Sequence, residues 1–358
     1  MGILLSFVVI AYNEAGNIGR TLDGITALAG LAQQRYEVIV VNDGSRDRTA
    51  DIVADRAARN PRINLIDLPT NRGRGYARAT GILAARGELI ATVDADIILP
   101  GDWLLRAEAA LAGNDAVGGT AVPDGDVAYV FQATRLVPRV VGHTTAVTGS
   151  NALYRRQVFD LVAFDPSLRE GEDVALNQAT ARHGLSFGTV PGLLVQHTES
   201  KTLPDSLRWL FNIGRGATRQ LLVYRQVRTP DVVTGAFLSS LVAGTLVGVL
   251  TGPLVGAGIP VAVLLTVSVQ HVRSRFVTPL VRLPSVSLAV ALDSAHLLAY
   301  FAGRVAGLSW LSARRKQPVG SLSDSRDVGA ALTGGGQSVA EQRQSIAAAD
   351  DPVMERDH

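Results

Sequence analysis

Short apolar runs alternate with stretches of helical spacing through the first ninety residues. Residues 6–10, 37–41, 63–68 and 89–93 are rich in Val, Ile and Leu and too short for helices, so each predicts a buried strand. Between them, 17–28 sets Ile18, Leu22, Ile25 and Leu28 on one helical face, and 49–58 also reads as helix. A glycine-punctuated loop at 71–75 opens a third helical stretch that ends near Arg86-Gly87. This alternation predicts an α/β domain with a mostly parallel sheet covered on both faces. Ligands of such sheets bind beyond the carboxyl ends of the strands. Tyr12, Asn13 and Glu14, then Asp43, then Asp94 and Asp96, all stand at those ends.

The pattern loosens afterwards. Residues 116–122 and 185–190 read as strands, and 173–183 as a helix whose first turn is acidic. Residues 204–228 form an amphipathic pattern, with Leu207, Leu210, Phe211, Gly214 and Ala217 opposing Arg208, Asn212, Arg215 and Arg219. A helix of this kind suits the headgroup layer of a membrane. Then 232–269, 38 residues, contain no Asp, Glu, Lys, Arg or His. A span needs about 20 apolar residues, so two membrane helices are expected within 231–271. Their tight turn falls at Thr251-Gly252-Pro253 or between Gly256 and Pro260. A third apolar stretch, 286–310, carries Asp293, His296, Tyr300 and Arg304 on one stripe, at offsets of three, seven and eleven. Arg225 and Arg228 before the first span, with Arg273, Arg275 and Arg282 after the second, place both flanks inside. Arg314, Arg315 and Lys316 then favour an interfacial or re-entrant third helix (285–311) over a third span. The stretch 317–358 has little apolar content and reads as a disordered tail.

Composition adds three limits. The 358 residues contain no cysteine, which excludes thiol chemistry and a disulfide framework. The formal net charge is +2, and Lys201 and Lys316 are the only lysines. The arginines are dispersed and no recognition motif accompanies them, so nucleic-acid binding is not expected. Residues 2–11 are apolar without a preceding basic region, which reads as the first strand rather than a signal peptide.

The candidate chemistry is carboxylate chemistry. In Asp94-Ala95-Asp96 the two acids share one side of the pleat. Two hard oxygen ligands suit Mg²⁺ or Mn²⁺, and such a cation suits a diphosphate. Glu172-Asp173 is a second pair, able to supply a general base. Each has a plainer reading: Asn42-Asp43-Gly44 as a turn, Asp96 as a helix cap, Glu172 and Asp173 as acids favoured at a helix N-terminus.

The motifs Phe7-Val8-Val9-Ile10-Ala11-Tyr12-Asn13-Glu14, Val40-Val41-Asn42-Asp43-Gly44-Ser45, Asn71-Arg72-Gly73, Ala84-Ala85-Arg86-Gly87-Glu88, Asp94-Ala95-Asp96 and Gly171-Glu172-Asp173 follow the order seen in family 2 glycosyltransferases. The resemblance covers about residues 4–200, within a catalytic domain expected at 1–200. It implies a GT-A, Rossmann-like nucleotide-sugar-binding domain with a mixed sheet, followed by C-terminal transmembrane helices. It also implies a nucleotide-sugar donor, a divalent metal and inversion at the anomeric carbon. On this resemblance Tyr12, Asn13, Glu14, Asp43, Arg72 and Asp94 meet the donor. Asp96, Asp94 and His197 meet the metal, and Gly149, Ser150 and Asn151 the acceptor. Asp173 is the base, and Glu172 orients it or holds the acceptor. The sequence departs from the family where Ala11 replaces a frequent proline and Ala79 a frequent asparagine after Ala77-Arg78. Asp205 stands where processive members carry the glutamine of Gln-x-x-Arg-Trp, so a processive synthase is not expected. The membrane segments resemble those of members acting on lipid-linked acceptors. A lipid phosphate is already anionic, whereas a sugar hydroxyl needs a base. Asp173 therefore favours a hydroxyl of a lipid-linked saccharide, with a polyprenyl-phosphate acceptor as the alternative. A non-catalytic membrane-anchored sugar-nucleotide-binding protein is a more distant one. The expected setting is a multi-pass membrane protein with its catalytic domain on the cytoplasmic side.

Overall fold

The computed structural model describes residues 4–28, 30–31, 35–124, 147–198, 202–224, 227, 229–275 and 286–309. The stretch 317–358, Arg225, Arg228, Arg282 and residues 314–316 lie outside the described residues.

β1 (Leu5–Ala11) and β2 (Tyr36–Asn42) are buried at every position. A strand covered on both faces has no polar side, which is why these runs do not alternate. β3 (Ile63–Asp67) and β4 (Leu89–Asp94) join them in parallel, in the order β3-β2-β1-β4. α1 (Ile18–Thr26), α2 (Thr49–Arg59) and α3 (Arg74–Ala84) are the crossovers. α1 turns Ile18, Leu22 and Ile25 inward onto a core that includes Phe7, Val38, Val93 and Trp103.

Beyond β4 the sheet changes character. The chain passes through β5 (Ile97–Ile98), α4 (Trp103–Leu111), β6 (Ala116–Asp124), β7 (Asn151–Arg155), α5 (Val158–Leu161), α6 (Glu172–Arg182) and β8 (Phe187–Thr198). Among the described residues the sheet has eight strands, in the order β3-β2-β1-β4-β7-β6-β8-β5. β7 enters antiparallel between β4 and β6, and β5 pairs antiparallel with β8. The expectation of a mostly parallel sheet thus holds for the first half alone. A five-residue buried run carries no signal of direction, so pattern does not separate β7 from a parallel strand.

Four long helices follow: α7 (Leu203–Tyr224), α8 (Thr229–Thr251), α9 (Pro253–Arg275) and α10 (Val286–Ala306). Gly252, at φ +109°, makes the turn between α8 and α9. The second turn site, between Gly256 and Pro260, is instead inside α9. There Gly256 lets the two helices touch: a Cβ on Gly244 would lie 2.5 Å from the Gly256 carbonyl oxygen. Residues 231–251 and 253–272 are long and apolar enough to cross a membrane. Their outer surface is open, with Val249, Leu250 and Leu254 at 80%, 83% and 89% exposure, unlike a helix of a soluble core.

The polar stripe of α10 faces inward. Asp293 meets His271 of α9 at 3.3 Å, His296 meets Ser206 of α7 at 2.7 Å, and Arg304 meets Asp231 of α8 at 2.6 Å. Phe301 stacks on Phe237. One helix thereby ties α7 to the open end of the α8–α9 hairpin.

Candidate active site

The two loops after β1 and β2 are fastened to each other. Asn13 sits at φ +56°, a left-handed conformation that asparagine tolerates better than most residues. Its N–H donates to Ser45 Oγ at 2.8 Å, and its side-chain oxygen accepts from the Arg46 N–H at 2.8 Å. Glu14 N–H donates to Thr49 Oγ1 at 2.8 Å. Tyr12 is 43% exposed beside them, a face open for stacking.

Asp43 is buried, and its two carboxylate oxygens accept the Arg72 and Gly73 N–H groups at 2.7 and 2.8 Å. Burial pushes its pKa up despite these bonds. Its first role is to hold the 71–73 loop, so any contact with a base or ribose uses lone pairs left over. Arg72 is exposed and lies 4.3 Å over the Tyr76 ring.

The loop delivers α3, and α3 delivers the centre of the site. Gly75 permits the approach: a Cβ there would lie 2.2 Å from the Asp165 carbonyl oxygen. The segment before α6 therefore lies directly on α3. Arg78, wholly buried, then donates to Asp94 Oδ1 at 2.7 Å, Glu172 Oε1 at 2.9 Å and the Gly149 carbonyl at 2.5 Å. One guanidinium joins the Asp-x-Asp, the Glu-Asp pair and the candidate acceptor loop. Motif and spacing assign Arg78 no role. A signal exists all the same: Arg78 is an arginine among the small residues Gly75, Ala77 and Gly81, all of them buried.

The carboxylates diverge in character. Burial works against the Asp94 anion, but Arg78, Arg74 and His197 outweigh it and hold its pKa below the ordinary aspartate range. Asp173 goes the other way: burial, and then the neighbouring Glu172, push its pKa up. Asp173 Oδ1 accepts the Val174 N–H at 2.7 Å, and Oδ2 faces the Gly149 N–H at 3.5 Å. Glu172 is buried on Arg78, which fits orienting the pair better than holding an acceptor.

β5 and β8 pair Ile97 with His197, which brings the imidazole beside Asp96. His197 Nε2 lies 2.8 Å from Asp96 Oδ2, while Asp96 Oδ1 is buried with no hydrogen-bond partner. Among the described residues no three acidic or histidine side chains form a cage for a metal. A cation delivered on a diphosphate needs only one or two protein carboxylates. The idle Asp96 oxygen, with Asp94 and His197 near it, fits that requirement. Asp94, Asp96, Glu172 and Asp173 also outnumber the facing guanidiniums of Arg78 and Arg74, leaving negative charge for a cation to balance.

Of the acceptor candidates, Gly149 and Ser150 lie beside the carboxylates, the Ser150 carbonyl accepting the Asp94 N–H at 3.1 Å. Asn151 is fully buried, and its amide bonds both backbone groups of Gly119 at 2.8 and 3.3 Å. Asn151 thus fastens β6 to β7 where the β6–β8 register shifts.

Comparisons with known proteins bear on the fold and the family. The chain is 46% identical over 99 residues to a dolichyl-phosphate beta-glucosyltransferase of Trichomonas vaginalis, covering 26% of this chain and 29% of that protein. It is 32% identical over 164 residues to an undecaprenyl-phosphate 4-deoxy-4-formamido-L-arabinose transferase of Aeromonas hydrophila, covering 44% and 50%. The chain thus spans half the length or less of these two curated relatives. Its fold matches a mannosyltransferase from Pyrobaculum calidifontis, solved with GDP-Man and Mn²⁺, at TM-score 0.57 and 21% identity over 85% of this chain and 88% of that one. Residues 6–162 match the model described as Glycosyl transferase family 2, and the fold is of the GT-A type.

Proposed function

We propose that this protein is an inverting, metal-dependent glycosyltransferase acting at a membrane surface. It takes a sugar from a nucleotide-diphosphate donor and attaches it to a hydroxyl of a lipid-linked saccharide. The observation that carries the reading is Asp173: a carboxylate of raised pKa at the first turn of α6, beside the Arg78 cluster that holds Asp94. A base works best with a pKa nearer the working pH, and burial moves Asp173 in that direction.

In this reading Asp173 takes the proton of the acceptor hydroxyl as that oxygen bonds to the anomeric carbon. The bond from that carbon to the diphosphate oxygen breaks on the opposite face, and the nucleoside diphosphate leaves. Asp96, Asp94 and His197 would hold the divalent cation, which neutralises charge on the departing diphosphate. Tyr12, Asn13, Glu14 and Arg72 surround the donor's place, and Asp43 keeps the Arg72 loop there. Gly149 and Ser150 border the acceptor's. The α8–α9 hairpin spans the bilayer, with α7 and α10 in the interface on the catalytic domain's side. The cytoplasmic side is the one that supplies nucleotide sugars.

A second reading is supported by the two relatives, whose names specify dolichyl phosphate and undecaprenyl phosphate. A bare lipid phosphate needs no base. Purified protein with Mn²⁺ and a panel of nucleotide sugars is offered a polyprenyl phosphate or a polyprenyl-linked saccharide. Transfer to the saccharide alone, abolished by Asp173→Asn, supports the hydroxyl acceptor. Transfer to the bare phosphate that survives Asp173→Asn overturns it.

A further inference from the structure

The base-bearing turn is held from outside the sheet domain. Gly171 caps α6 at φ +76°, and a Cβ there would come 1.7 Å from Gln220 Nε2. The positive φ requires glycine, and its bare Cα lets the Gln220 amide come close. The Gly171 carbonyl accepts two hydrogen bonds. One, at 3.1 Å, comes from the Ala175 N–H and is the first bond of α6. The other, at 2.8 Å, comes from Gln220 Nε2, a buried amide on α7.

α7 is itself held without clearance. A Cβ on Gly214 would lie 2.2 Å from the Tyr300 carbonyl oxygen, and one on Gly303 only 1.9 Å from that of Phe211. Thr218, two residues before Gln220, donates its hydroxyl to the Arg304 carbonyl at 2.7 Å. Arg304 is the residue paired with Asp231 at the start of α8. An unbroken series of contacts thus runs from the apolar hairpin, through α10 and α7, to the turn that carries Glu172 and Asp173. Interfaces with no slack transmit displacement, because packed interiors deform little.

We infer that Gln220 is a positioning residue for the proposed base. It fixes the Gly171 cap, so that Asp173 meets the acceptor hydroxyl in register, and it couples that alignment to the membrane-facing helices without touching substrate. The inference rests on the reading of Asp173 as the base.

The test uses full-length protein in detergent or nanodiscs. Gln220→Met keeps the length and loses the donor. The expected result is a fall in kcat of about 10- to 100-fold, the cost of misplacing a reacting group by about an ångström. The donor KM, nucleoside-diphosphate binding with Mn²⁺ and the melting temperature stay at wild-type values. A kcat equal to wild type, or a loss matched by weaker donor binding and a lower melting temperature, overturns the inference. Thr218→Val breaks the next link and is expected to give the same kcat-only loss in smaller measure. It serves as the deciding variant if Gln220→Met does not fold; unchanged kcat there counts against the coupling. Asp173→Asn in the same assay separates the two ideas. If Asp173→Asn is inactive while Gln220→Met is like wild type, the coupling alone fails. If Asp173→Asn is as active as wild type, the base reading fails and the inference falls with it.

Discussion

Two regions of this protein bury charge, and they do so to opposite ends. In the helical layer each of two buried acids meets a basic side chain of a neighbouring helix: Asp231 meets Arg304, and Asp293 meets His271. In the sheet domain a single buried guanidinium, Arg78, serves Asp94 and Glu172 at once, with Asp96 and Asp173 close by. The first arrangement suits a surrounding of low dielectric, where an unmatched charge is costly. The second leaves an excess of negative charge beyond the carboxyl ends of the strands, which a folded protein tolerates where a ligand can supply the counter-charge. The difference separates buried charge that holds helices together from buried charge that waits for a ligand.

The sharpest way to break the comparison is to remove each arginine. Losing one partner of a buried pair costs about 3–5 kcal/mol. Arg78→Met strands two carboxylates, so its loss of stability in denaturant melts is expected to exceed that of Arg304→Met. Adding Asp231→Asn to Arg304→Met should restore most of the stability. Adding Asp94→Asn to Arg78→Met should restore much less, because Glu172 stays uncompensated.

Next in size are the cleft carboxylates. Asp173→Asn is expected to lower transfer by about 10²–10⁴-fold, the usual worth of a general base. The sign for stability is opposite. A carboxylate whose folded pKa lies above its unfolded value contributes stability below the unfolded pKa and loses it as pH rises through the folded one. Removing the charge should therefore raise the melting temperature at neutral pH, and the gain should vanish in acid. The same raised pKa places the acid limb of the kcat/KM profile above the ordinary aspartate range.

Asp96→Asn should abolish stimulation by Mn²⁺ and weaken diphosphate binding measured calorimetrically. Asp293→Asn, in the helical layer, should leave both unchanged. Smallest is the exposed pair Arg56–Asp23, with side chains 31% and 64% open. Arg56→Ala should change stability by less than about 1 kcal/mol and leave transfer untouched.

Much of this is legible in the residues. The four parallel strands fall within two residues of their expected bounds: β1, β2 and β4 are inner strands and so nearly all apolar, and the edge strand β3 still carries Ile63, Leu65 and Ile66. The α8–α9 hairpin is equally plain, since 38 residues without charge cannot give a soluble helix its polar face. The stripe on α10 is readable as a stripe, though its partners Ser206, Asp231 and His271 are not: contacts across 22 to 90 residues of chain leave no local periodicity. The site divides the same way. Asp94, Asp96 and Asp173 are visible because strand ends and helix starts are. Arg78 is not, because its meaning lies in Glu172, 94 residues away. The bonds of the Asn151 amide are hidden for the same reason, since they go to Gly119 on another strand.

The clearance-free seam between α7 and α10 also sets an order of events during synthesis. Thr218 and Arg304 are 86 residues apart, which at roughly 5–20 residues per second is a wait on the order of ten seconds. Throughout that wait the sheet domain can fold, but the face of α7 that receives α10 stands open. The turn that carries Asp173 is then braced by a helix still lacking its own support. On the proposed function, a newborn chain would form its donor-side loops before its base is set, and only the arrival of α10 would make it competent to transfer.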